Sequence, residues 1–435
     1  MLARVERYFR LAELSSDLRT ETLAGATTFL TMSYIVFVNP SILADAGMPA
    51  EAVAAATCLA AAFGSILMGL WARQPIALAP GMGINAYFAY GVVGGMGVPW
   101  QTALGAVFLS GLIFLALTAA GAREKILEAI PRQLYAAVAA GIGLFLALIG
   151  LRNAGIIAPN EATLVGLGDL SAPSTLLALV TLLAVAALQV WRVRAAILIG
   201  IAGASAAAWA IGVVEWRPGG NALAALGETA LAFDLGAALS LGFLDVIFVF
   251  LFVDMFDTLG TIIAVTKKAG LMSADGRVPH IKRMLTADAA ATTVGAALGT
   301  STTTSYIESA AGVAAGGRSG LTAVVTGLLF LAALPAASLV GMIPAAATAP
   351  ALILVGALMM TTLKEIDWED VAIAVPAFLT LLAIPLTYSI ANGLAVGFIA
   401  YDALQIAKGR GGRVPWLTHV LAALFLLRFV YLAQS

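Results

Sequence analysis

Acidic side chains set inside long apolar stretches are the residues of this sequence best placed to do chemistry. Asp254 and Asp257 lie in Val253-Asp254-Met255-Phe256-Asp257-Thr258-Leu259-Gly260-Thr261, and Glu308 follows a run of threonines that ends in Ser305. A charge at the centre of a bilayer costs at least about 2.5–3.5 kcal/mol, so acids kept there have a partner or a task. Spacings of three and four residues put Asp254, Asp257, Thr258 and Thr261 on roughly one helical face. Glu308 falls in the first turn of a helix, where the dipole favours an anion. With Asn85, several hydroxyls and free backbone amides, such a set suits a small, flat, neutral polar ligand. A carboxylate accepts two hydrogen bonds from adjacent N–H donors, and purine bases present that pair as a ring N–H beside an exocyclic amine. A carboxyl group taken out of water also holds a proton more readily. One acid can then hold the ligand while another couples it to protons, with Asp257, Glu308 and Asp254 as the candidates. Asp254 reads also as a structural acid bonded to a neighbouring helix. Asp245, Asp288 and Asp402, nearer the ends of their stretches, read as solvated or structural.

The elements that position these residues must cross a membrane. Of 435 residues, 61% are hydrophobic and only 11% charged, and the mean hydropathy is +0.99. Ordinary soluble chains carry roughly 25% charged residues. A net charge of −1 leaves no nucleic-acid footprint. The single Cys58 excludes an intramolecular disulfide and reads as a packed core thiol, and two histidines, His280 and His419, make a metal centre unexpected. Residues 1–19 mix Arg4, Arg7 and Arg10 with Glu6 and Glu13 and set Leu2, Val5, Phe9 and Ala12 on one face, which predicts a cytoplasmic helix on the membrane surface.

Spans of about 20 apolar residues are expected near 20–43, 50–70, 75–97, 99–121, 132–151, 173–190, 195–214, 239–266, 284–299, 300–316, 319–340, 343–362, 369–388 and 390–407. A last apolar segment, 415–433, reads as a surface helix or as part of the final span. With the N-terminus in the cytoplasm, this count of about fourteen gathers 20 of the 23 Lys and Arg residues inside. Arg123, Lys125, Arg277 and Arg318 are among them, while Arg152 and Arg217 fall outside. Such asymmetry is the positive-inside pattern, and it places both termini in the cytoplasm.

A hydrophilic break at 215–238 divides the spans into seven and seven, the outline of an inverted repeat: 20–214, an extracytoplasmic linker, and 239–435. The third span of each half is abnormal. In the first, Ala79-Pro80-Gly81-Met82-Gly83-Ile84-Asn85-Ala86-Tyr87-Phe88 breaks a continuous helix. In the second, Gly299-Thr300-Ser301-Thr302-Thr303-Thr304-Ser305-Tyr306-Ile307-Glu308-Ser309 favours an extended backbone. Extended backbone cannot face lipid, so both pieces must be buried or line a cavity. Paired broken spans are the best sequence pointer to a transport site; close packing of small-residue helices is the plainer account of either break alone.

The stretch Thr28-Phe29-Leu30-Thr31-Met32-Ser33-Tyr34-Ile35-Val36-Phe37-Val38-Asn39-Pro40, the two broken segments and Phe256-Asp257-Thr258-Leu259-Gly260-Thr261 together resemble the AzgA-like purine permeases, a branch of the nucleobase–cation symporter (nucleobase–ascorbate transporter) superfamily. The resemblance covers essentially the whole chain. It implies an all-α polytopic fold of fourteen spans in the cell (inner) membrane. Spans 1–4 and 8–11 would form a core domain and spans 5–7 and 12–14 a gate domain, with short strands in spans 3 and 10 beside span 8. It also implies import of adenine, guanine or hypoxanthine with protons and without a cofactor, and a homodimer through the gate domain. By the same resemblance Asn85, Asp257 and Glu308 contact the base, with Gly83, Thr304 and Tyr306 from the same motifs and Thr258 and Thr261 in support. Where uracil and xanthine permeases carry Glu in span 8 this chain has Asp257, and where uracil permeases carry His four residues later it has Thr261.

Two other functions compete. An anion transporter of the same fold would favour helix N-termini with a nearby Arg or Lys, against which the two acids count. An intramembrane enzyme would need a nucleophile with a base or a metal motif; the sequence has no HExxH, and neither His lies in a span. No GxxxxGK[ST] suggests ATP-driven transport.

Overall fold

A computed structural model describes residues 2–121, 131–214, 220–240, 243–273 and 278–432. The expected cytoplasmic Arg123, Lys125 and Arg277, the external Arg217 and the start of the linker at 215–219 lie outside the described residues. Residues 1–19 hold a short helix, α1 (Leu2–Tyr8), whose Tyr8 hydroxyl donates to the Leu70 carbonyl oxygen at 2.8 Å.

The first span is two helices in line, α2 (Leu18–Met32) and α3 (Ile35–Ala44). Asp17 caps α2 by accepting from the Thr20 N–H at 2.8 Å. Helix α4 (Ala50–Leu67) follows, and then the first broken span: strand β1 (Leu78–Pro80) leading into α5 (Met82–Ala86). The first half continues with α6 (Trp100–Ala120), α7 (Arg132–Asn153), a hairpin of β2 (Ile157–Asn160) and β3 (Leu164–Leu167), α8 (Pro173–Val190) and α9 (Ala196–Ala210). Short helices α10 (Ala222–Ala225) and α11 (Leu235–Ala238) occupy the linker. The second half contains α12 (Leu244–Lys268), α13 (Ile281–Leu298), strand β4 (Thr303–Ser305) leading into α14 (Ser309–Ala314), α15 (Gly320–Ala332), α16 (Ala345–Met359), α17 (Val371–Thr387), α18 (Ile390–Ala407) and α19 (Trp416–Leu432).

Each expected span contains helix. Among the described residues, eight helices are long and apolar enough to cross a bilayer, or nine if Gly320–Ala332 and Leu334–Met342, bent by 55°, count as one. The eighth span starts at Leu244 rather than at 239, because Asp234 caps the separate α11. The hairpin of β2 and β3 is an addition to the expected all-helical plan. Asn160 builds its turn by accepting from the Ala162 and Thr163 N–H groups at 2.9 and 3.0 Å.

The two broken spans meet. Strand β1 pairs antiparallel with β4, setting Leu78 opposite Ser305, Ala79 opposite Thr304 and Pro80 opposite Thr303. The strand centres lie at equivalent points, Ala79 being 61 residues after Leu18 and Thr304 being 60 after Leu244. Backbone groups that lipid could not satisfy find partners in and around this pair. The Gly81 N–H donates to Thr302 O and the Tyr306 N–H to Ala77 O, both at 2.9 Å. Ser309 Oγ accepts from the Ala77 N–H at 3.0 Å. Gly299 makes the second break possible. Its φ of +97° ends α13 in the left-handed region, and a Cβ there would stand 2.2 Å from Thr229.

Helices α2, α4, α6, α13 and α15 pack together around this strand pair, and α7, α8, α9, α16, α17 and α18 form a second group. Within the first group the buried Glu21 accepts from the N–H groups of Arg318 and Ser319 at 3.0 and 3.2 Å and from the Thr322 hydroxyl at 2.5 Å, capping the start of α15. Within the second, α17 and α18 form a tight hairpin whose open end is closed by Lys408 on Asp370 at 2.7 Å.

The last helix corrects an expectation. It is neither a surface helix nor a continuation of the final span; α19 turns back along α18. Gly409 (φ +71°) and Pro415 reverse the chain. His419 Nδ1 then meets Asp402 at 2.6 Å, Phe425 packs on Phe398, and Arg428 reaches Asn392 at 3.1 Å and Asp245 at 2.8 Å. Asp245 opens α12, whose far end leads to α13, where Arg283 covers the Trp71 ring. The N-terminal segment also sits at that far end, with Arg73 over the Tyr8 ring at 4.3 Å. Arg428 therefore lies at the opposite end of the bundle from α1.

Candidate functional site

A cavity of about 140 Å³ opens between the two helix groups where the broken spans meet. One wall comes from the start of α5 (Gly83, Ile84), the end of β4 and the turn after it (Thr304 to Glu308) and α12 (Asp257, Thr261). The facing wall is α7, α16 and α18, through residues such as Ile142, Met359 and Phe398. Among the described lining residues there is no Lys, Arg or His.

Asp257 and Glu308 both line this cavity and are both half-buried, unlike the acids behind them. Asp257 is carried by the middle of α12. Glu308 is the N-cap residue of α14, and its Oε1 accepts from the Tyr34 hydroxyl at 2.7 Å. Thr261, Gly83, Thr304 and Tyr306 also line the cavity. Tyr306 is fixed by its hydroxyl, which donates to Pro80 O at 2.5 Å. Gly83 is needed for close approach, since a Cβ there would stand 2.4 Å from Ile142 Cγ2.

Asp254 and Thr258 do not line the cavity. Successive residues of an α-helix turn by about 100°, so all four fall within about 100° of the helix circumference, and the packing of α13 and β4 decides which of them meet the cavity. Asp254 is 1% exposed and accepts from the Thr292 hydroxyl of α13 at 3.1 Å, the structural arrangement the sequence left open. The Thr258 hydroxyl meets Asp288 Oδ1 at 2.7 Å and Thr304 Oγ1 at 2.8 Å. Asp288 is wholly buried rather than solvated, and it accepts from Ser305 at 3.0 Å as well. This carboxylate therefore holds both α12 and β4 in place behind the cavity.

Asn85 is also set back. It is fully buried, and its side-chain N–H donates to Asn39 Oδ1. Asn39 in turn donates to Thr57 at 2.8 Å and to Thr300 at 2.9 Å. The chain of bonds ties α3, α4 and α5 to the Thr-rich break. Asn85→Ala is expected to lower thermal stability by about 1–3 kcal/mol, the usual cost of orphaning a buried polar group, with the competition profile among bases unchanged. A changed profile in a competition assay would put the Asn85 amide in contact with the ligand.

Sequence reasoning passed over Tyr34 and the aromatic floor. Tyr34 sits inside a quoted motif, but only the fold brings it to Glu308. Phe256 stacks near Tyr135 with ring centroids 5.1 Å apart, and the Tyr135 hydroxyl donates to the Phe256 carbonyl oxygen at 2.9 Å. Phe252 continues the surface, 4.6 Å from Phe256 and 5.9 Å from Phe398. These rings give the cavity flat apolar faces beside its two acids.

Paired broken spans, a cavity between two helix groups and intramembrane acids facing it define a polytopic membrane permease. Comparison with known proteins agrees. The chain belongs to the Permease family, whose model matches residues 19–396, and to the AzgA-like branch its motifs resemble. It is 51% identical over 430 residues to a permease of Methanocaldococcus jannaschii, covering 99% of each chain. It is 44% identical to the adenine permease AdeP of Escherichia coli, over 98% of this chain and 96% of that one. It is 46% identical to the guanine/hypoxanthine permease PbuG of Bacillus subtilis, over 98% of this chain and all of the other. The fold is shared with the transmembrane domain of the cyanobacterial bicarbonate transporter BicA (TM-score 0.64, 16% identity, 87% of this chain and 97% of that one). It is shared too with the murine anion transporter Slc26a9 (TM-score 0.66, 14% identity, 94% of this chain and 72% of that one).

Proposed function

We propose that the chain is a secondary transporter that imports purine nucleobases, guanine, hypoxanthine or adenine, with protons, by alternating access of the cavity between its two helix groups. The observation that carries this reading is the pairing of Asp257 and Glu308 on one cavity wall among aromatic rings. Two acceptor groups and flat apolar faces match a planar base whose edge carries N–H donors. The names of the relatives support the same ligand class.

Asp257 accepts donors from the base, Glu308 accepts a further one, and the aromatic surface stacks on its face. Thr304, Tyr306, Gly83 and Thr261 shape the pocket, and Asp254, Thr258 and Asn85 support it from behind. The proton travels on Asp257 or Glu308, the two acids that meet the cavity. We read residues 20–214 and 239–435 as the two inverted seven-span repeats, joined by an extracytoplasmic linker at 215–238. Residues 1–19 are read as a cytoplasmic segment, and the chain as a multi-pass protein of the cell (inner) membrane. A homodimer through the second helix group belongs to this reading by family likeness. An anion site would place a cation at the cavity, where the described lining offers two carboxylates instead.

Uptake of radiolabelled guanine, hypoxanthine, adenine, xanthine and uracil in cells lacking their own base permeases tests the reading. Uptake of one or more purines is expected. No uptake of any base, from protein shown to be in the membrane, would overturn it and would turn the search to sulfate and bicarbonate.

A further inference from the structure

We propose that Tyr34 is a positioning residue for the cavity: by holding one oxygen of Glu308 it leaves the other as the acceptor that meets the ligand. The proposal rests on the nucleobase reading. Tyr34 lies at the break between α2 and α3, is 1% exposed and does not line the cavity. Its hydroxyl donates to Glu308 Oε1 at 2.7 Å, so whatever it contributes to the ligand passes through that carboxylate.

The geometry around the bond is fixed from both sides. Helix α14, which Glu308 opens, is pressed against α2. A Cβ on Gly312 would stand 2.1 Å from Thr28 Oγ1 and 2.7 Å from the Ala24 carbonyl oxygen. The chain just before Glu308 is pinned by the Tyr306 hydroxyl on Pro80 O and by the Tyr306 N–H on Ala77 O. On the other side, the Tyr34 carbonyl oxygen accepts from the Val38 N–H at 3.0 Å, anchoring the backbone that carries the ring. A rigid ring with two side-chain torsions then sets the carboxylate's rotation. Glu has three torsions, and without that bond its free end would sample several rotamers. A free carboxylate offers two interchangeable acceptors; a held one offers a single acceptor in one direction, which selects among bases by where their donors lie.

The test compares uptake of guanine, hypoxanthine and adenine by the wild-type chain and by Tyr34→Phe, with transporter abundance in the membrane measured for each. Loss of a hydrogen bond to a charged group is worth about tenfold in affinity or more. Tyr34→Phe is therefore expected to raise KM about tenfold, to hold the maximal rate per transporter within about twofold, and to change the preference among the three bases. An unchanged KM, or a lower maximal rate with KM and preference unchanged, overturns the assignment, because a packing role alone gives that pattern. If Tyr34→Phe does not reach the membrane, Tyr34→His replaces it; its donor sits closer to the backbone, so KM must again rise, and an unchanged KM again overturns the assignment. The wild-type arm separates the two proposals: wild-type uptake with an indifferent Tyr34 variant sinks the positioning role alone, whereas no wild-type uptake of any base sinks the nucleobase reading and the positioning role with it.

Discussion

Asp257→Asn is expected to abolish purine uptake while leaving the protein in the membrane at wild-type abundance. The side chain keeps its size, so α12 and its contacts persist. What changes is polarity. A carboxylate only accepts hydrogen bonds, whereas an amide replaces one acceptor by a donor. That donor would face the N–H edge of the base inside a desolvated pocket and leave both groups unpaired. Removing one partner of a buried, charge-assisted pair costs about 2–5 kcal/mol, which puts the loss at roughly 30-fold or more. The substitution also removes a group that can carry a proton. Initial uptake rates at subsaturating base, normalised to membrane abundance, check the expectation. Normal transport by Asp257→Asn would remove this residue from the site.

Glu308→Gln is expected to weaken base affinity about tenfold to 100-fold and to alter the response of uptake to pH. The amide oxygen can still accept from the Tyr34 hydroxyl, which stands 2.7 Å from Oε1, so the local packing survives. The amide N–H₂ then occupies the place of the second acceptor and repels a donor on the ligand. Glutamine cannot take up or release a proton, so any coupling through Glu308 is lost with the same change. Competition measurements across a range of external pH separate the two effects. Unchanged affinity together with an unchanged pH response would refute both roles.

Much of this site is legible in the sequence because the signals are local. Pro80 and the glycines around it, and the threonine run from Thr300, announce broken helices. Equal distances from the start of each half announce that the breaks are partners, and the register of Ala79 against Thr304 follows. Asp257 and Glu308 stand out because acids are costly in apolar spans. What is not legible depends on rotation and on distant packing. A helical face is broad, and the sequence placed Asp254, Asp257, Thr258 and Thr261 on one; only the packing of α13 and β4 covers Asp254 and Thr258 and leaves Asp257 and Thr261 on the cavity. Asp288 read as solvated or structural from its place near the start of a span; only the fold brings it to Thr258 and Ser305. Asn85 follows the break by a few residues, yet its partner is Asn39, 46 residues earlier in the chain. Tyr34 meets Glu308 across 274 residues, a pairing no local pattern encodes. The course of α19 turns on Gly409, Pro415 and four contacts with residues of α12 and α18, and apolar composition alone cannot separate that from a helix lying on the membrane.

On the proposed function, a proton gradient drives purines through this cavity. The most direct test is purified full-length protein reconstituted in liposomes under an imposed proton gradient, acidic outside, with radiolabelled guanine, hypoxanthine or adenine supplied externally. Accumulation of at least one purine above its external concentration is expected, with collapse of that accumulation when a protonophore is added and none with Asp257→Asn. Equilibration without accumulation, or accumulation indifferent to the protonophore, would contradict it.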